Sequence, residues 1–197
     1  MDKLGHQRFA VVGHDRGGLT AFRCAMDHAD RVAKLAILDA LAVIDHLDRC
    51  DEHFVKAYWH WFFFNQPDRP ERAILADPLK WYAGSPEAMG AEAWADFAEA
   101  VTDPEVVRGM LGDYRAGLGI DAMHERADRA AGRRLTCPTL VLWSLQDDLE
   151  DLHGDPREIW RTWATDVSGR GIDSGHHMAE EAPDVLAQEL TRFLSAE

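Results

Sequence analysis

One aspartate in this sequence stands where a nucleophile would. Gly13-His14-Asp15-Arg16-Gly17 follows a short apolar run at 9–12 and precedes a segment of helical composition at 17–30, in the pattern G-x-nucleophile-x-G. A sharp strand-to-helix turn of that kind holds its middle side chain above the sheet, at a helix N-terminus whose dipole favours an anion. A carboxylate placed there can attack an alkyl carbon directly and form an ester, whereas serine would begin acyl transfer. The ordinary reading of Asp15 is a helix N-cap. Chain order raises the signal: Asp39 ends the next apolar run and Ser174-Gly175-His176 comes late, giving the sequence nucleophile, acid, base.

Elements that would position these groups are legible around them. The runs at 9–12, 35–38 and 139–143 have the composition of buried parallel strands, the last ending in the polar stretch 144–148. Leu186, Leu190 and Leu194 recur at i+4 with Phe193 beside them, the stripe of a helix laid on a core. Residues 1–40 and 135–197 therefore read as a partial α/β core. Between 41 and 134 the pattern turns helical, with breaks at Pro67, Pro70, Pro78, Pro86 and Pro104, so this stretch is expected to form a cap over a pocket.

The segments GHDRGG, LAILDA, YWHWFF, GDYRAG, CPTLVLW and DSGHHMAEEAPD resemble the haloacetate (fluoroacetate) dehalogenases, a branch of the α/β-hydrolase superfamily. The resemblance implies an α/β-hydrolase fold, represented by the C-terminal portion of its parallel sheet, with an inserted all-helical cap. It also implies that Asp15 displaces halide in a backside attack, that His176 activates the water that hydrolyses the aspartyl ester, and that Asp39 orients His176. The backbone N–H of Arg16 would supply half of an oxyanion hole and its guanidinium would clamp the substrate carboxylate. His60, Trp61 and Tyr114 would hold the departing halide. Without the resemblance, His60 and Trp61 read as core filler, Tyr114 and Arg115 as a helix surface pair, and Asp39 as a cap of the next helix. Asp147 or Asp148, after the third strand, is the rival acid; the resemblance puts the acid at Asp39.

The pattern also breaks. Relatives carry a second arginine three residues after the one in GHDRG, and here that position is Leu19, which points to weak haloacetate binding or a less charged substrate. The sequence begins fourteen residues before Asp15, without the family's opening strands or the loop bearing its second oxyanion donor. The 9–12 strand is then an exposed apolar edge, and a truncated product, even a non-catalytic remnant, is one expectation. Epoxide ring opening ranks lower, because epoxide hydrolases use two cap tyrosines and a tryptophan after the nucleophile; this chain has Arg16 there and only Tyr58, Tyr82 and Tyr114.

Composition narrows the partners. A net charge of −14 repels phosphate backbones and anionic headgroups, so neither nucleic acid nor membrane is expected to bind. Cys24, Cys50 and Cys137 have no paired spacing, and His124 and His153 have no partners at ligand spacing, so neither a disulfide framework nor a metal site is expected. Asp2, Lys3, His6 and Arg8 interrupt any leader-like apolar stretch, which with the unpaired cysteines points to the cytoplasm. The expectation is a hydrolase without cofactor, acting on a small halogenated carboxylic acid; the relatives imply a homodimer.

Overall fold

In chain order the elements are β1 (Phe9–His14), α1 (Arg16–Asp27), β2 (Val32–Leu38), α2 (Val43–Leu47), α3 (Glu52–Ala57), α4 (Trp59–Phe64), α5 (Arg69–Ala76), α6 (Pro78–Trp81), α7 (Pro86–Met89), α8 (Ala91–Thr102), α9 (Pro104–Ala116), α10 (Ala122–Ala130), β3 (Thr139–Ser144), α11 (Leu149–His153), α12 (Pro156–Trp160), β4 (Val167–Ile172), α13 (Met178–Glu181) and α14 (Pro183–Ser195). The computed structural model describes residues 1–81 and 84–196. Tyr82, one of the three tyrosines weighed above, lies outside them. The chain divides into two compact units, residues 1–54 with 124–197 and residues 55–123, and the flanks 41–54 and 124–134 belong with the first.

The first unit is built on a parallel sheet in the order β1-β2-β3-β4. β2 and β3 are nearly continuous apolar runs, and the buried stretch 35–38 of β2 pairs with 139–142 of β3. That is the signature of strands covered on both faces. On one face Ala36, Leu38, Leu140, Leu142 and Ile172 pack with Met178, Leu186, Leu190 and Phe193 of α13 and α14. On α1 the buried side is Ala21, Phe22, Ala25 and Met26, and Phe22 meets Trp160 and Trp163 edge-on, each at 5.1 Å. Both indoles keep their N–H satisfied, Trp160 donating to the Ala40 carbonyl at 2.9 Å and Trp163 to Asp45 at 2.6 Å.

Two strands have a less regular origin. β1 pairs only with β2 among the described residues, and Val12 on it is 41% exposed, so an apolar strand forms an edge. β4, with the sequence VSGRGI, carries no apolar run, and the sequence reading passes over it. Gly169 explains its composition: φ is +150°, and a Cβ there would lie 1.8 Å from the Val141 carbonyl oxygen. Only glycine lets β4 approach β3 at that point.

The second unit is helical. Phe64, Ile74, Val107 and Leu111 form its core, with Phe63, Trp81, Met110 and Tyr114 packed against them. Pro70, Pro78, Pro86 and Pro104 lie in the first turns of α5, α6, α7 and α9, where a missing N–H costs nothing, so the prolines that break one helix begin the next. Among the described residues no helix is long and apolar enough to cross a membrane.

Candidate active site

β1 ends at His14 and α1 begins at Arg16, so Asp15 alone carries the reversal, with φ 50° and ψ −124°. A non-glycine residue in that region stores strain of about 1–3 kcal/mol, held by the surrounding structure. The hold is visible: the Asp15 N–H donates to the Leu38 carbonyl at 3.0 Å and the Asp15 carbonyl accepts from Gly18 at 2.8 Å. A Cβ on Gly13 would sit 2.2 Å from the Gly17 carbonyl oxygen, whereas one on Gly17 would meet nothing within 4 Å. The first glycine of the motif is thus obligatory for the turn, and the second is not. Although Asp15 occupies the N-cap position, its side chain makes no capping hydrogen bond. The ordinary reading of Asp15 therefore fails.

Asp39 follows β2 and also has φ 50°, its N–H bonded to the Leu142 carbonyl at 2.8 Å. Its side chain is 1% exposed. One oxygen accepts the Ser144 backbone N–H at 2.9 Å and the other faces Nδ1 of His176 at 2.7 Å. The cap of α2 is Ala42, so Asp39 does not cap that helix. The loop after β4 supplies His176, whose Nε2 lies 3.9 Å from Asp15 Oδ1. Asp147, after β3, places Oδ2 3.2 Å from the same Nδ1. The rival acid is therefore present beside Asp39, and Asp148 stands at the N-terminus of α11. All these groups gather at the carboxyl ends of parallel strands, where open α/β sheets form their sites.

Charge follows from this geometry. The carboxylates of Asp147, Asp15 and Asp39 around the ring outweigh the cost of burial and push His176 up to about 12. Burial opposes ionisation of Asp15, but His176, the Arg16 backbone N–H and His14 together hold its carboxyl below the ordinary value. Asp147 is likewise held low, chiefly by His176. These shifts favour a protonated imidazole beside ionised Asp15 and Asp147.

Asp39, Asp147 and His176 each offer a ligand atom, all within 4.8 Å of one another. The 2.7 Å between Asp39 Oδ2 and His176 Nδ1 is a hydrogen-bond length. It is shorter than the separation of about 3 Å or more between two ligands held at about 2.1 Å by one ion.

The remaining residues distribute as follows. Arg16 opens α1, and Leu19 follows on the same helix, both half-buried. His60 and Trp61 lie on α4 and Tyr114 on α9, in the second unit. His60 meets Tyr114 edge-on at 5.8 Å, and Trp61 is 5% exposed and edge-on to Tyr58 at 5.5 Å. Arg115 pairs with Glu71 at 2.7 Å and donates to the Gln66 carbonyl, while Tyr114 packs on the unit's core. Sequence reasoning passed over His14, whose Nε2 lies 2.7 Å from the His176 carbonyl oxygen. It also missed a partner for His153, which faces Nδ1 of the buried His46 at 2.8 Å across 107 residues. Burial drives both of these imidazoles down, His153 to about 4.

The chain has known relatives. Over 204 residues the chain is 35% identical to a Burkholderia fluoroacetate dehalogenase, covering 99% of this chain and 66% of that protein. It is 28% identical over 207 residues to the soluble epoxide hydrolase of a Corynebacterium, covering 98% of this chain and 68% of that one. The crystal structure of ALR0039 from Nostoc sp PCC 7120 superposes with a TM-score of 0.93 at 38% identity, over 100% of this chain and 69% of that one. The chain thus spans about two thirds of the length of these relatives. A profile of the alpha/beta hydrolase fold matches residues 1–183, and with the parallel sheet and its Asp15 turn this places the chain in the alpha/beta hydrolase family.

Proposed function

We propose that the site performs hydrolytic dehalogenation of a small 2-haloacid through an ester of Asp15. One observation carries the reading: Asp15, free of any capping bond, stands 3.9 Å from Nε2 of an imidazole whose other nitrogen is held by Asp39 at 2.7 Å. The 35% identity to the Burkholderia fluoroacetate dehalogenase supports the substrate class.

In the first step an Asp15 oxygen attacks the halogen-bearing carbon. The C–O bond forms, the carbon–halogen bond breaks, and halide leaves with the electron pair. Asp15 loses its negative charge as it becomes an ester. With that carboxylate gone, one of the contacts that hold the proton on His176 disappears. Esterification of Asp15 thus lowers the proton affinity of His176, which must release its proton to solvent before it can act as a base. Neutral His176 takes a proton from water through Nε2, and the hydroxide adds to the Asp15 carbonyl carbon. The Arg16 backbone N–H stabilises the oxyanion. Collapse of the intermediate expels the hydroxyacid oxygen, which receives the proton from His176, and Asp15, left as a carboxylic acid with one oxygen from water, returns its proton to His176 to restore the starting charges.

On this reading the Arg16 guanidinium holds the substrate carboxylate without the second cation that Leu19 replaces. His60, Trp61 and Tyr114 keep the halide-donor roles that the resemblance gives them, being N–H and O–H donors of the required type. Chloroacetate tests the proposal. The chain should release chloride, Asp15→Asn should abolish release, and His176→Gln should accumulate a covalent ester detected by intact mass. No chloride from the wild-type chain and no ester in His176→Gln would overturn it.

A second reading, epoxide hydrolysis, shares the Asp15 ester and rests on the 28% identity to the Corynebacterium soluble epoxide hydrolase. Consumption of an epoxide such as styrene oxide, faster than chloride release from chloroacetate, would favour it.

A further inference from the structure

We propose that His14 is a positioning residue that sets the distance between nucleophile and base, an inference that rests on the ester chemistry proposed above. His14 is the last residue of β1 and the immediate neighbour of Asp15. Its Nε2–H donates to the backbone carbonyl of His176 at 2.7 Å, across 162 residues of sequence. The two rings also pack, with centroids 4.7 Å apart and planes inclined by 45°. One side chain therefore ties the residue beside the nucleophile to the main chain of the base.

The loop that presents His176 is clamped at other points. Ser144 Oγ donates to the Gly175 carbonyl at 2.6 Å, the Gln146 N–H to the Ser174 carbonyl at 3.1 Å, and the Gly175 N–H to Glu181 at 2.6 Å. Those bonds anchor residues before His176 to β3 and α13. The His176 carbonyl itself accepts from Met178 at 3.0 Å and from His14. Of these contacts, the one from His14 comes from the residue that precedes Asp15 at the end of β1, so it sets the 3.9 Å gap between Asp15 Oδ1 and His176 Nε2. That gap is too long for a direct hydrogen bond. It is the separation at which a water bound to Nε2 can also reach the Asp15 carbonyl carbon, and misplacement by about 1 Å can cost as much as 100-fold in rate.

The bond serves ester hydrolysis rather than alkylation, because only the second step needs His176 in register with Asp15. The test compares His14→Gln, which retains an N–H donor, with His14→Met, which has similar bulk and none. Pre-steady-state mixing with chloroacetate reads chloride release in the first turnover and the lifetime of the ester by quenched-flow intact mass. His14→Met should slow ester hydrolysis about tenfold, the kinetic equivalent of one lost hydrogen bond, with alkylation within twofold. His14→Gln should recover most of the loss. Both steps are read per molecule that reacts, so the ratio does not depend on how much of a variant folds. Equal slowing of both steps, or indistinguishable Gln and Met variants, would overturn the proposal. An ester trapped in His176→Gln but unchanged in lifetime in His14→Met would refute the role of His14 alone; no ester in any variant would refute the underlying reading with it.

Discussion

Asp39 and Asp147 address the same nitrogen of His176, at 2.7 Å and 3.2 Å. Their surroundings differ. Asp39 is buried and bonded to the Ser144 N–H, whereas the Asp147 side chain is 33% exposed. Asp39 is therefore the carboxylate shielded from water, and the interaction of Asp147 with the ring is the one weakened by solvent. Asp39→Asn should lower turnover of chloroacetate by at least about 100-fold, and Asp147→Asn by about tenfold or less. Steady-state kinetics on the two variants decide the order; a larger loss from Asp147→Asn would make Asp147 the orienting acid.

Stability should peak near pH 6.5. The imidazolium of His176 is favoured in the folded state, so its contribution is full below the ordinary histidine value of 6.5 and is lost as pH rises from there towards about 12. His46 and His153 have folded values below 6.5, so stability falls again as pH drops below that point and the unfolded chain takes up their protons. Chemical denaturation between pH 4 and 10 gives the profile directly. His176→Gln should flatten its alkaline side and leave the part of the acid side that His46 and His153 set; an unchanged alkaline side would contradict the assignment.

Leu19 sits three residues after Arg16 on α1, so the two share a helix face. Leu19→Arg should place a second guanidinium beside that of Arg16 and, on the proposed reading, lower the KM for chloroacetate about tenfold, with little change in kcat. A KM that rises or stays constant would show that the carboxylate lies elsewhere.

Phe22 is 2% exposed and fills the space between Trp160 and Trp163. Phe22→Ala removes the ring and leaves a cavity that two rigid indoles cannot collapse into, so it should cost about 3–5 kcal/mol in urea unfolding. A loss below about 1 kcal/mol would mean that the two indoles close the gap.

The residues that stand together at the candidate site were legible because each ends an apolar run or opens a polar turn. Asp15 was marked by Gly13, Asp39 by the run before it, and His176 by its place in chain order. What escaped was set by tertiary contact. β4 carries no apolar run, because Gly169 is required by the approach of Val141. His14 occupies a variable position of its motif, and its partner lies 162 residues away. The His46–His153 pair spans 107 residues, and no local spacing announces it. Asp39 and Asp147 stayed rivals on sequence because each follows a strand, and the fold brings both to one nitrogen.

The central claim is that Asp15 itself becomes the ester, and isotope transfer in a single turnover tests it most directly. With the chain in excess over chloroacetate in water enriched in heavy oxygen, hydrolysis at the Asp15 carbonyl carbon leaves the label in the peptide containing Asp15. The product then carries oxygen that came from the protein. Labelled product with an unlabelled Asp15 peptide would mean that water attacks the substrate directly, and the account would be wrong.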